Sequence, residues 1–205
     1  MRPVVAEPVT TDRLVLLPLA VAHAAELAGV LADPELHTFI GGVPARPDEL
    51  RSRYRRLVAG SPDPQVDWLN WALQLTGRDH LTDPVRTTGT DRPSGTDRPT
   101  GTDRPAGPGR LVGTVQATVS RAAPDAVAEI AWVVGTAWQR QGIATEAARG
   151  LVDWLRQQGV GRIVAHVHPD HRASASVATA AGLVPTDHRQ DGEVRWVLPD
   201  GTRTG

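Results

Sequence analysis

Gln139, Gly142 and Ala144 stand in the stretch WQRQGIATEAARG, where an alternating apolar run gives way to a helix-like one. A helix start presents unpaired backbone N–H groups and about half a positive charge. Glycine and alanine there leave room for a ligand against the main chain, and no acidic residue occurs from Gly135 through Thr145. An anion such as a phosphate or pyrophosphate suits that end. A dinucleotide fingerprint is the competing reading, but the next strand-like run, RIVAHVH, ends without the acidic residue that would hold a ribose. HVHPDH places His166 and His168 on one strand face with Asp170 and His171 close by, a spacing that invites a metal. Histidines at a strand end are more often part of a cleft wall than ligands, and no metal is expected.

These residues need elements to hold them. RLVLLPL reads as a strand, and AVAHAAELAGVLADP as a helix with apolar Ala24, Leu27, Val30 and Leu31 at helical spacing. PDELRSRYRRLVAG reads as a second helix with proline early, glycine at its end and the face Leu50, Tyr54, Leu57 and Val58. DWLNWALQLT, RLVGTVQATVS and AVAEIAWVVG read as strands, the last two as antiparallel neighbours. IATEAARGLVDWLRQQG carries one continuous apolar face, Ile143, Ala147, Leu151 and Trp154/Leu155. RIVAHVH, the short helix ASASVATAAG and the strands LVPTD and VRWVLP complete the chain. The order predicts an α/β (α+β) domain whose mixed sheet has an antiparallel first half and one parallel crossover around the long helix.

Between two of the strands run three copies of Gly-Thr-Asp-Arg-Pro at a six-residue period. They hold no apolar residue, so they cannot build a solenoid core. Residues 78–109 are expected to form a disordered insertion within a single domain spanning 1–205. Closing a loop of ~30 residues rather than ~4 costs only about 2 kcal/mol.

A net charge of −1 gives no electrostatic case for nucleic acid or an anionic membrane. All 22 basic residues are arginine, and cysteine is absent, which excludes disulfides and thiolate chemistry. With no apolar core of signal-peptide length near Met1 and no bilayer-length apolar run, the expectation is a cytoplasmic protein.

WQRQGIATEA resembles the acetyl-CoA pyrophosphate loop of the GCN5-related N-acetyltransferases (GNAT), with Gln139, Gly142 and Ala144 at its matching positions. HRASASVATAAGL resembles the family's Asn-x-x-Ser helix through Ala173, Ser174, Val177 and Gly182, with His171 in place of asparagine and Leu183 in place of phenylalanine. TDRLVLLPL and DPELHTFIGG resemble the RimJ/RimL-type subgroup, although Leu17 stands where the first strand usually has arginine. The resemblance covers nearly the whole chain except the repeats. It implies the GNAT fold, with a mixed central sheet whose fourth and fifth strands splay apart.

It also implies acetyl-CoA as co-substrate, held by backbone at Val133 and Val134 and by Gln139, Arg140, Gln141, Gly142, Ile143, Ala144, Thr145 and His171. By the same resemblance Glu129 is the general base, Ser174 protonates the leaving thiolate, and His37 and Phe39 wall the acceptor pocket. The family needs no metal. The implied reaction is direct acetyl transfer to a primary amine, at a protein N-terminus or on a small molecule, by a monomer or homodimer. A non-catalytic acyl-CoA-binding regulatory module is the alternative, supported only by the departures at His171 and Leu183.

Overall fold

The computed structural model describes residues 2–76, 109–122 and 125–199. The repeats, and with them the expectation for residues 78–108, lie outside the described residues.

The alternating runs become one eight-stranded sheet. Its members are β1 (Val9–Thr10), β2 (Leu14–Pro18), β3 (Val66–Leu75), β4 (Leu111–Ser120), β5 (Val127–Val134), β6 (Arg162–Val167), β7 (Val184–Gln190) and β8 (Glu193–Val197), in the order β1-β2-β3-β4-β5-β6-β8-β7. Neighbours from β1 to β5 are antiparallel, and β5–β6 is the parallel crossover. Helices α1 (Ala24–Val30), α2 (His37–Ile40), α3 (Pro47–Ala59), α4 (Ile143–Gln157) and α5 (Arg172–Ala180) complete the described part. The two-residue β1 and four-residue α2 are too short for a periodicity to reveal them.

The apolar stripe of α4 explains its position. Ile143, Ala147, Leu151, Trp154 and Leu155 are all buried against the sheet, with Trp154 edge-on to Trp71 of β3 at 5.2 Å. Each large side chain there contributes about 1.5–3 kcal/mol relative to exposure. A second core on the opposite face joins α1 and α3 to the sheet through Ala24, Leu27, Leu50, Tyr54, Ala72 and Leu111. Val58, expected on the apolar face of α3, is 53% exposed instead, because it turns past the Leu50–Tyr54–Leu57 stripe. Burial pushes the Tyr54 hydroxyl up to about 12, Arg53 opposing weakly, and keeps it out of proton chemistry.

The strands β3 and β4 are a hairpin at whose open end the chain leaves and returns. The Gln74 amide donates to Gly109 O at 2.9 Å and Leu75 N–H to Arg110 O at 2.9 Å, so the two ends of the repeat segment sit side by side.

Candidate active site

The strands β5 and β6 pair over only three positions, Val127↔Arg162, Ala128↔Ile163 and Glu129↔Val164. On its other side β5 stays paired with β4 as far as Val134↔Gly113. From Ile130 onward β5 therefore opens a one-sided gap. Gly135 N–H donates to Val112 O at 2.9 Å, so by alternation the main chain of Val133 also faces β4, while that of Trp132 and Val134 faces the gap. Trp132 with Val134, rather than Val133, thus offers the free ladder edge. The Gln139 amide reaches back and donates to Val134 O at 3.1 Å, covering one of those groups.

The gap opens into a cleft of about 520 Å³ that runs to the start of α4 on one side and of α5 on the other. Val133, Val134, Gln139, Arg140, Gly142, Ile143, Ala144, Thr145 and His171 all line it, as do Glu129, Ser174 and Phe39. Gln141 and His37 do not. The Gln141 amide donates away to Ala137 O at 3.2 Å. The His37 ring nitrogens lie 3.2 and 3.4 Å from Gly41 O and Leu31 O, so that imidazole holds its own loop, and Leu36 and Ile40 face the cleft beside Phe39.

The start of α4 is an unfinished helix end. Gly142 takes φ +77°, with Arg140 before it at +61°, and no side chain caps the helix. The first helical bond is Glu146 N–H to Gly142 O at 3.0 Å, so among the described residues the N–H groups of Ile143, Ala144 and Thr145 have no acceptor. Glu146, the one acidic residue of the first turn, is held away from this end. Burial alone would push its carboxyl up, but the Thr11 hydroxyl (2.6 Å), the Arg13 N–H (2.7 Å) and the Arg13 guanidinium (2.7 Å) donate to it and hold it below the usual range. The same guanidinium donates to Gln141 O at 3.0 Å, bracing the loop from outside. Arg13 escaped the sequence reading, although it lies in the quoted TDRLVLLPL. No pattern in the sequence says that it meets Glu146, 133 residues on.

The start of α5 is built the other way. His171 Nδ1 accepts from Ser174 N–H at 3.3 Å and caps the helix, so the imidazole does what the expected asparagine would do. Burial, and then neighbouring His168, lower its pKa, which keeps Nδ1 an acceptor. Phe39 stacks on His171 at 4.3 Å and on His168 at 5.4 Å, joining α2 to this end of the cleft. The Ser174 hydroxyl takes no part in the cap and has no partner among the described residues. Leu183 is 1% exposed and simply fills the core where a phenylalanine was expected.

Glu129 lies on the sheet face opposite α4, its side chain 53% exposed, with Oε1 3.0 Å from Nδ1 of His166. Its neighbours Ala128 and Ile130 turn to the other face and are buried there. The sequence offers His166 as a metal ligand or as part of a cleft wall, and the contact with Glu129 is not legible there. Among the described residues no group of His, Asp and Glu side chains is arranged to hold a metal.

A family profile described as "Acetyltransferase (GNAT) domain" matches residues 13–184. The chain belongs to the GNAT acetyltransferases. Solved GNAT relatives share its fold at low identity. An acetyltransferase from Agrobacterium tumefaciens has 21% identity and a TM-score of 0.61, with 93% of each chain covered. RimL, a ribosomal L7/L12 alpha-N-protein acetyltransferase solved with coenzyme A, has 13% identity and a TM-score of 0.62, covering 93% of this chain and 97% of that one. AAC(6')-Ib, solved with paromomycin and acetyl-CoA, has 16% identity and a TM-score of 0.63, covering 91% and 93%. No curated protein matches the sequence. These neighbours share the fold of this GNAT chain. No helix among its described residues is long and apolar enough to cross a membrane.

Proposed function

We propose that this GNAT protein transfers the acetyl group of acetyl-CoA to a primary amine by direct attack, the acceptor being a protein N-terminus or a small-molecule amine. The observation that carries the reading is the pairing of two unfinished main-chain edges on one cleft. The first turn of α4 offers three free N–H groups under a positive helix end, which suits a pyrophosphate. The edge of β5 at Trp132 and Val134 offers ladder groups to an extended amide chain. Coenzyme A carries both, and its acetyl thioester supplies the activated acyl carbon.

This chain's own side chains then manage protons. Attack needs a neutral amine, and an α-amine with pKa near 8 is only about 10% neutral at pH 7. Glu129 supplies negative charge where the amine proton must go, and Ser174, with its hydroxyl uncommitted, can donate to the departing sulfur. The departures that favoured a mere binding module are accommodated, since His171 caps α5 and Leu183 packs in the core. RimL is described as a ribosomal L7/L12 alpha-N-protein acetyltransferase and AAC(6')-Ib was solved with paromomycin and acetyl-CoA, and both a protein N-terminus and a small-molecule amine stand as candidate acceptors here.

The test is free-thiol release from acetyl-CoA in the presence of N-terminal peptides, aminoglycosides and simple amines. Amine-dependent release with acetylated product is expected. Tight coenzyme A binding with no amine-dependent release by any acceptor would make the protein a binding module.

A further inference from the structure

The Glu129 carboxylate is not alone at the mouth of the gap. Glu129↔Val164 is the last β5–β6 pair, and His166 lies two residues farther along β6, on the same face and at the point of divergence. The His166 side chain is only 10% exposed against 53% for Glu129, and His166 lines the cleft. An ionised carboxylate only accepts, so the 3.0 Å contact to Oε1 requires that His166 Nδ1 carry the proton and donate. Nε2 is then left with its lone pair. It has no partner among the described residues and is not sealed off from solvent.

We propose that His166, oriented by Glu129, is the group that takes the proton from the acceptor amine. This rests on the acetyltransferase reading above and changes which atom meets the amine. As the amine nitrogen bonds to the acyl carbon and the carbon–sulfur bond breaks, the N–H proton passes to His166 Nε2, while Nδ1–H stays with Glu129. The imidazolium is held by that carboxylate until the proton is returned to the sulfur, and His166 ends neutral. Its other charged neighbours are of both signs. Arg195 faces it from β8 in register, with Nε buried and unpartnered, Glu193 lies two residues from Arg195 on the same face, and His168 follows the end of β6. Without Glu129, a protonated His166 would stand against the Arg195 cation.

Two arms test this. Nitrogen-15 spectra of the histidine rings read the tautomer of His166 without any acceptor. The Nδ1–H form is expected, and its loss in Glu129→Ala, whereas an Nε2–H form in the wild type overturns the proposal whether or not an amine substrate is found. In the kinetic arm, with the best amine from the thiol-release panel, His166→Ala should lower kcat/KM by about 10²–10³-fold, the usual worth of a positioned base. Acetyl-CoA KM should stay within about threefold, and free imidazole should restore activity at least about tenfold. Glu129→Gln should lose about tenfold or more, and the double variant should be no worse than His166→Ala, as for groups acting as one unit. His166→Gln serves if the alanine variant does not fold. Activity of either His166 variant within about threefold of wild type, or additive losses in the double variant, would return the base to Glu129 or to water.

Discussion

Helices α4 and α5 begin at the same cleft, and only one of them is finished. At α5 an imidazole closes the first turn, with His171 Nδ1 accepting from Ser174 N–H. At α4 a left-handed glycine stands where a capping side chain would, and three N–H groups have no acceptor among the described residues. Capping is worth about 1 kcal/mol to a helix, and α4 forgoes it at an end whose one acidic residue is neutralised by Arg13. The contrast separates a capped end from an open one. Under the proposed function it also divides the chemistry, with the anion assigned to α4 and the sulfur-side hydroxyl of Ser174 to α5.

The largest predicted effect removes the opening at α4. Gly142→Glu puts a side chain at φ +77°, with its Cβ 3.3 Å from Arg13 Nη2, and sets a negative charge beside the free N–H groups. Coenzyme A affinity by calorimetry should fall at least about 100-fold, with the fold retained by circular dichroism. Unchanged affinity in a folded variant would remove the anion loop.

Next in size is Arg13→Ala, which leaves the Glu146 carboxylate unneutralised by the loop. Affinity should fall about tenfold at low salt and less at high salt, and Glu146→Gln in the same background should recover much of it. A loss that Glu146→Gln cannot recover would mean that Arg13 acts by some other route.

At α5 the expected loss is stability instead. His171→Ala should cost about 0.5–2 kcal/mol in denaturant unfolding while coenzyme A affinity changes less than in either α4 variant. A binding defect larger than the stability defect would make α5 a ligand-holding end as well.

The smallest effect is on pH. Burial lowers the pKa of His171, and of His23, where Glu26 partly opposes it, below the ordinary 6.5. The unfolded chain therefore binds more protons between those values. The stability from these residues is complete above pH 6.5 and is lost as the pH falls from there through the folded-state values. Unfolding curves in that window should flatten in His171→Ala.

Much of this was legible before the structure. The strands other than β1, the helices other than α2 and the stripe of α4 follow from periods of two and 3.6, and the α4 loop follows from glycine before a helix with no acid from Gly135 through Thr145. What stayed hidden depends on contacts distant in sequence. Arg13 meets Glu146 across the sheet, Glu129 meets His166 because β5 and β6 run parallel at that register, and His37 turns onto its own loop. Alternation alone could not say whether Val133 or Val134 turns its main chain to the gap, because that depends on which edge of β5 pairs with β4.

The most direct measurement follows the backbone amides of Ile143, Ala144 and Thr145 by proton–nitrogen NMR during titration with coenzyme A. All three should shift and gain protection from hydrogen exchange at saturation, while Gly142→Glu abolishes the response. Saturation by coenzyme A with these amides unmoved and still exchanging freely would contradict the assignment of the α4 start as the anion site.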